Sequence, residues 1–187
     1  MRILILVWTV FTLSACAAPQ TIDPSANLSA LPEIKLAVPQ DEHLQSYLGV
    51  FGEDTFSVNQ IGADIVIIKL FSVHCPLCHK GAKNLNYLHT KIENSAELKG
   101  RIKLIAIGLG DSDVEIVHFA ARYRLKVPVF ADPDSDIHKK LGRVKYPYHV
   151  GVRIDSEDST RIIYARPGGI RDNDRFLEQI VRLAAKS

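Results

Sequence analysis

The sequence predicts an α/β fold: a central mixed β-sheet flanked by helices, parallel in its first half and antiparallel at its end, with a small β extension at its N-terminal side. Three observations carry that prediction. Ile65-Val66-Ile67-Ile68-Lys69-Leu70-Phe71 and residues 102–107 are apolar, β-branched runs of the kind found in strands buried on both faces. Each is followed by an apolar stripe at helical spacing. Residues 150–154 and 161–165 form two further apolar runs across the polar turn 156–159, as an antiparallel pair does.

The elements follow in order. Tyr47-Leu48-Gly49 and Thr55-Phe56-Ser57-Val58 read as short strands around the turn Gly52-Glu53-Asp54. After the first buried strand, Ala82, Leu85, Leu88 and Ile92 recur every three or four residues and predict an amphipathic helix. Lys99-Gly100 closes that region before the second buried strand. A helix is predicted over 112–123, with Val114, Val117 and Ala121 in its apolar stripe. Val127-Pro128-Val129-Phe130 is a short strand, and 136–141 a short helix behind the turn Asp132-Pro133-Asp134. The chain closes with a helix over 174–185, turning Phe176, Leu177, Ile180, Val181 and Ala184 inward. The order of strands and helices gives the mixed sheet; there is no internal repeat.

Composition excludes several classes. The 187 residues carry 23 Lys+Arg against 21 Asp+Glu, a formal charge of +2, and 47% are hydrophobic. Such a balance gives no case for nucleic-acid binding, and the chain is neither collagen-like nor disordered in composition. Its three cysteines, at 16, 75 and 78, are too few and too bunched for a disulfide-stapled scaffold.

The N-terminus reads as a targeting segment. Met1-Arg2 precedes an apolar stretch from Ile3 to Phe11, too short for a bilayer core that needs about 20 residues. Leu13-Ser14-Ala15-Cys16 resembles the bacterial lipoprotein signal, in which the cysteine is lipidated and becomes the first mature residue. The alternative is an ordinary secretory signal with a cysteine near its cleavage site. The expected division is a signal peptide over 1–15, a lipid-anchored N-terminus and flexible tether over 16–45, and a folded domain over 46–187. A tether of about 15 residues reaches roughly 20 Å on average. If the lipoprotein resemblance holds, Ala17 in place of the inner-membrane-retaining Asp points toward an outer membrane.

The chemistry concentrates at His74-Cys75-Pro76-Leu77-Cys78-His79. Cysteines two residues apart, where a strand turns into a helix, can close a disulfide across the first helical turn. Cys75 would stand at the helix N-terminus, where backbone N–H groups and the dipole favour a thiolate, the nucleophile of disulfide exchange. Pro76 suits the first helical turn. Cys78, one turn deeper, would be shielded and placed to resolve a mixed disulfide, while His74 and His79, if protonated, would favour the thiolate further. Other readings stay open. A structural disulfide would close so short a loop that it removes little unfolded-state entropy. Cys75-Pro76-Leu77-Cys78-His79 also matches the C-x-x-C-H haem-attachment pattern, although the only Met lies in the signal segment. Two thiolates with a histidine suit a soft metal such as copper. A peroxidatic reading fails on spacing, because Ser72 lies three before Cys75 but Ile68 stands where the peroxiredoxin motif has its proline.

From Tyr47 onward the order and spacing of these pieces resemble the TlpA-like thiol:disulfide oxidoreductases of the thioredoxin superfamily. The pieces are the strand 65–71, Cys75-Pro76-Leu77-Cys78, residues 127–132 with 137–142, and Val144-Lys145-Tyr146-Pro147-Tyr148 leading into 150–155. The resemblance implies a thioredoxin-like fold, with catalytic Cys75 and Cys78. It also implies a cis Pro147 whose preceding residue, Tyr146, pairs with substrate beside Pro76 and Leu77. A Pro at the start of a strand marks an edge or a special turn.

The sequence departs from that pattern at three places. His74 replaces the usual Trp, and Pro-Leu matches neither familiar dipeptide between the cysteines. Lys69, six before Cys75, stands where thioredoxin has a buried Asp that manages protons for the second cysteine. Lys69 either stabilises thiolate, pairs with a buried carboxylate, or snorkels from a strand edge. His89, His118, His138 and His149 read as surface or packing residues. The function expected is extracytoplasmic disulfide exchange with protein substrates, as a reductant, with no cofactor beyond the Cys75–Cys78 pair. Partners expected are protein thiols and disulfides, a membrane electron donor or acceptor, and the membrane through lipid on Cys16. The competing class is a haem-bearing electron carrier or copper chaperone using Cys75, Cys78 and His79.

Overall fold

The computed structural model describes residues 30–52, 54–156 and 159–186. Cys16, the signal segment and the first part of the tether lie outside the described residues.

Alternation starts earlier than expected. Ile34, just before β1 (Lys35–Ala37), and Leu36 within it are buried, and β1 pairs antiparallel with β2 (Thr55–Ser57), Leu36 opposite Phe56. The folded part therefore begins well before residue 46, and the stretch up to 45 is not all tether: a period-2 run with two buried side chains belongs to the core. Tyr47 and Leu48 are not strand either. They end helix α1 (Glu42–Leu48), which Asp41 caps by accepting the His43 N–H and Gly49 stops at φ +70. The Tyr47 hydroxyl accepts the Leu104 N–H of the central sheet at 2.8 Å, tying this helix down.

That sheet has the order β5-β4-β3-β6-β7. β3 (Ile65–Phe71) is its centre, parallel to β4 (Ile102–Leu109) and antiparallel to β6 (Tyr148–Ser156). β5 (Val129–Asp132) runs parallel to β4, and β7 (Ser159–Pro167) antiparallel to β6. All seven residues of β3 are buried, as a run without polar alternation requires. The fold is thioredoxin-like: a five-stranded mixed sheet covered on both faces, with the β1–β2 extension beside one of them.

The two faces have separate cores. Val66, Ile68 and Leu70 pack with Leu48, Phe56 and Ile137 of the short helix α5 (Asp136–Lys140). Ile65, Ile67 and Phe71 pack against α3 (Ala82–Glu93), α4 (Asp113–Tyr123) and α6 (Asn173–Ala185). Ala82, Leu85, Leu88 and Ile92 are all buried, and so are Phe176, Leu177 and Ile180. Gly151 lets α6 approach, since a Cβ there would lie 2.9 Å from Ile180 Cδ1. The α4 stripe corrects the sequence reading: Ile116 and Phe119 face inward, whereas Val114 and Val117 are 66% and 65% exposed and Ala121 is exposed too. The helix is rotated so that its larger side chains, Ile116, Phe119 and Tyr123, meet the core.

Candidate active site

Strand direction decides where the chemistry sits. β3 and β4 both end at one edge of the sheet, and β6 begins there: Leu70 lies opposite Tyr148, so Phe71 and Pro147 are the next positions outward. The carboxyl ends of parallel strands are where open α/β sheets place their sites. From β3 the chain passes through Ser72, Val73 and His74 into α2 (Pro76–Lys80), for which Cys75 is the N-cap.

Cys75 has extended backbone, φ −94 and ψ 113, and its sulfur accepts the Cys78 N–H at 3.3 Å. Pro76 occupies the first helical turn, where no N–H is needed. Cys78 is fully buried while Cys75 is partly exposed, and both are free thiols. Burial, followed by a hydrogen bond to Cys75, pushes the Cys78 thiol up to about 12; Lys69 pulls in the opposite direction. The sequence expectation of an accessible first sulfur and a shielded second one matches this geometry. Leu77, between them, is 58% exposed.

The loop before Cys75 hangs from Asp111, just past the end of β4. Its carboxylate is fully buried and accepts the Val73 N–H at 2.9 Å and the Ser72 hydroxyl at 3.1 Å. Burial raises its pKa above the ordinary carboxylate value, against those two hydrogen bonds. His74 is a surface group whose Nε2 lies 3.3 Å from Glu115. His74, Asp111 and Glu115 bring ligand atoms within 4.8 Å of one another, the one such grouping among the described residues. Asp111 is already occupied by Ser72 and Val73, and Glu115 by the α4 capping box with Ser112.

His79 has a structural task. Its Nε2 is 2.7 Å from the Val73 carbonyl and its Nδ1 2.7 Å from the Tyr123 hydroxyl. A carbonyl oxygen only accepts, so Nε2 carries a proton, and Nδ1 of the neutral ring accepts from Tyr123. Neither nitrogen is free for iron or copper in this arrangement, which removes the ligand that a haem or copper reading needs from His79.

Lys69 is 3% exposed on the central strand, so it does not snorkel from a sheet edge. Its Nζ donates to the Gly81 carbonyl at 2.9 Å, just past α2. Among the described residues no carboxylate pairs with it; the charges that act on it are the sulfurs of Cys78 and Cys75. Burial lowers its pKa to about 8, and the two sulfurs oppose that shift. His149, opposite Lys69 in the β3–β6 register, is buried and pushed down to about 4, first by burial and then by Lys69. Tyr146 is 40% exposed and its bond to Pro147 is cis; the Gly168 N–H donates to the Pro147 carbonyl at 2.7 Å.

The sequence reading did not single out Asp111 or Tyr123, and it took His149 for a surface or packing residue; His149 is buried against Phe176. Gly110-Asp111-Ser112, directly after a buried parallel strand, was the available signal for the first, since the site edge of the sheet is where that strand ends. His149 carried none that separates it from a packing histidine.

A strand-to-helix dithiol on this sheet defines a thioredoxin-like oxidoreductase. The chain belongs to the AhpC/TSA family, whose model matches residues 31–162. Among solved structures, the thiol:disulfide interchange protein DsbE of Chlorobium tepidum superposes with a TM-score of 0.64 at 13% identity, covering 83% of this chain and 96% of its own. StoA of Bacillus subtilis gives 0.58 at 14% identity, covering 81% and 98%. A secreted disulfide oxidoreductase of Mycobacterium tuberculosis gives 0.53 at 18% identity, covering 76% and 98%. At such identities the likeness is one of fold. No curated protein matches the chain.

Proposed function

We propose that the protein exchanges disulfides with protein substrates through Cys75 and Cys78, as a reductant, on the extracytoplasmic side of a membrane to which lipid on Cys16 anchors it. The observation that carries the exchange is the division of labour between the sulfurs. Cys75 is accessible at a helix N-cap and meets a backbone N–H, whereas Cys78 is sealed one turn deeper. Cys75 thiolate attacks a substrate disulfide, a mixed disulfide forms at Cys75, and Cys78 resolves it. The chemistry needs no cofactor beyond the two cysteines.

The reducing direction is part of the proposal, and the midpoint potential decides it. Substrate docks along Tyr146, Pro147, Pro76 and Leu77. That edge adjoins the dithiol loop in the sheet register, and Tyr146 and Leu77 present exposed apolar surface. The extracytoplasmic setting follows from the signal-like segment and from the use of such chemistry where disulfides form. Attachment through Cys16 rests on the lipoprotein-like Leu13-Ser14-Ala15-Cys16; among the described residues no helix is long and apolar enough to cross a membrane.

Equilibrating the purified protein across thiol/disulfide buffers, with free thiols counted by alkylation and mass, tests this. One reversible two-thiol transition at Cys75 and Cys78, near about −270 mV, is expected. A midpoint near about −120 mV would make it an oxidant, and thiols that never titrate together would remove the exchange reading altogether.

A further inference from the structure

The substrate edge has a cationic neighbour. The Gly168 N–H that donates to the Pro147 carbonyl opens the loop between β7 and α6. Asn84 of α3 donates to the Ile170 carbonyl at 3.0 Å, so this loop is pinned between Pro147 and the helix that follows the dithiol. Beside it lies a pocket of about 210 Å³, lined by Arg166, Arg171 and Arg175, all three exposed. Along this edge of the sheet the order is β4, β3, β6 and β7, so the dithiol loop after β3 stands between two unlike ends. On the β4 side are the carboxylates of Asp111 and Glu115; on the β7 side are the arginines.

The fold uses only part of that positive charge. Asp172 is the one acidic side chain lining the pocket. Its Oδ1 accepts the Asp174 and Arg175 N–H groups at the start of α6, and its Oδ2 lies 3.6 Å from Arg175. The nearby Asp174 carboxylate is held by Lys91 and Tyr87. Among the described residues, no salt bridge occupies Arg166 or Arg171. The chain as a whole carries only +2, so this surplus is local.

We propose that this pocket receives acidic side chains of the polypeptide whose disulfide Cys75 attacks, so that preferred substrates carry Asp or Glu on one side of the reacting cysteine. The proposal rests on the exchange reading above and names its substrate class. Two strand spacings, about 10 Å, separate β3 from β7, the span of about three residues of extended chain. An acid two or three residues from the substrate cysteine therefore reaches Arg166 and Arg171. Their planar guanidinium forks match carboxylates and stay charged at any working pH. The acidic flank is one-sided, because Glu115 across the dithiol repels a second one.

An anionic membrane surface would offer the same charge, and two observations favour the polypeptide. The arginines adjoin Pro147 and the dithiol, where substrate must lie for Cys75 to reach it. The start of the described chain is at the other end of β7, where Leu31 lines a cleft with Thr160. That leaves roughly 20 Å of strand between it and Arg166, so lipid on the N-terminal side of the chain does not bring this face to the bilayer. Exposed charge pairs contribute little singly and act mainly on encounter, so the preference is expected in the rate and its salt dependence.

The test uses the reduced full chain carrying Cys16→Ser, so that only the site cysteines react. The probes are peptides of equal length whose single cysteine is a 2-pyridyl disulfide, with Glu-Glu, Gln-Gln or Lys-Lys placed before or after it. Release of pyridinethione gives a second-order rate, divided by that of dithiothreitol on the same peptide. At about 0.01 M salt, where charges act over about 30 Å, Glu-Glu is expected to outrun Lys-Lys about tenfold in one of the two placements. At about 1 M salt, where that reach is about 3 Å, the ratio falls to within about twofold. The double variant Arg166→Gln, Arg171→Gln loses the preference at low salt. Lys35→Gln with Lys99→Gln removes the same charge at the far end of the sheet and keeps it. If the first double variant loses its far-UV spectrum, Arg171→Gln alone carries the comparison. No Glu preference in the parent overturns the proposal, and so does one that survives in the arginine variant or falls equally in the lysine variant. Binding of phosphatidylglycerol vesicles that the arginine variant loses, without any peptide preference, would make the patch a membrane contact instead. A parent that releases pyridinethione from no peptide sinks the exchange reading itself.

Discussion

The buried Asp111 carboxylate holds the Val73 N–H at 2.9 Å, and through it the loop that presents Cys75. The same carboxylate takes the Ser72 hydroxyl, and Ser72 in turn accepts the His74 N–H at 3.2 Å. One side chain at the end of β4 therefore orders three consecutive residues ahead of the nucleophile. Asp111→Ala leaves a buried N–H and a hydroxyl without an acceptor and is expected to cost about 1–3 kcal/mol in urea unfolding of the reduced protein. Asp111→Asn, which retains one acceptor oxygen, costs less. Because burial raises the Asp111 pKa in the folded state, the unfolded chain deprotonates first. Stability from this group is full below the ordinary carboxylate value and is lost as pH rises through the raised one. The Asn variant lacks that slope.

His149 has the opposite sign. Its folded pKa, about 4, lies below its ordinary value of 6.5, so between the two the unfolded chain binds more protons. Stability from His149 is present above pH 6.5 and is lost as pH falls toward 4, by up to about 3 kcal/mol. His149→Leu should flatten that limb of the stability curve, measured by denaturant unfolding from pH 4 to 7. A variant whose acid limb matches the parent's would show that the ring is solvated in the folded state.

Much of the fold was legible because its signals are local. Ile65–Phe71 declares a central strand by having no polar alternation, and Ala82, Leu85, Leu88 and Ile92 declare a buried helical face by spacing alone. The dithiol was legible for the same reason, as a short motif at a strand-to-helix junction. What failed was decided by packing between distant segments. Which side of α4 faces inward depends on Phe71, whose ring lies 4.7 Å from that of Phe119, and the periodicity of 112–123 accommodates a stripe through Val114 equally well. Leu36 finds a strand partner only because Phe56 arrives 20 residues later, and Tyr47 belongs to a helix that Asp41 and Gly49 delimit. Asp111 meets Ser72 and Val73 because β3 and β4 end at the same edge of the sheet, and His149 lies opposite Lys69 only through sheet register, which no single segment encodes.

Substrate docking should separate from chemistry by substrate size. Leu77 and Tyr146 are exposed apolar side chains with no part in holding either sulfur. Leu77→Ala and Tyr146→Ala are expected to raise KM for a reducible protein disulfide such as insulin by roughly 5- to 30-fold, the scale of about 1–2 kcal/mol of lost apolar contact. The rate with a small aromatic disulfide should stay within about twofold, because that probe needs only the sulfurs. Equal losses on both substrates would assign these residues to the chemistry of the dithiol, not to docking.

Lys69 should be a cost to stability that its position beneath the cysteines explains. Its folded pKa, about 8, is below the ordinary 10.5, so at pH 7 the folded protein holds an ammonium group in a place that resists the charge. The sign follows: the unfolded chain binds more protons between pH 8 and 10.5, and stability from this group rises with pH across that window. Lys69→Met removes the buried charge and keeps most of the side-chain volume. The Gly81 carbonyl, which loses the amine, still accepts the Asn84 N–H at 3.3 Å. The variant is expected to be more stable than the parent by about 1–3 kcal/mol at pH 7 in denaturant unfolding, with the gain shrinking toward pH 10. Lys69 and His149 face each other, so the double variant should depart from additivity. A Lys69→Met protein less stable than the parent at pH 7 would mean that the ammonium group has found a partner strong enough to offset its burial.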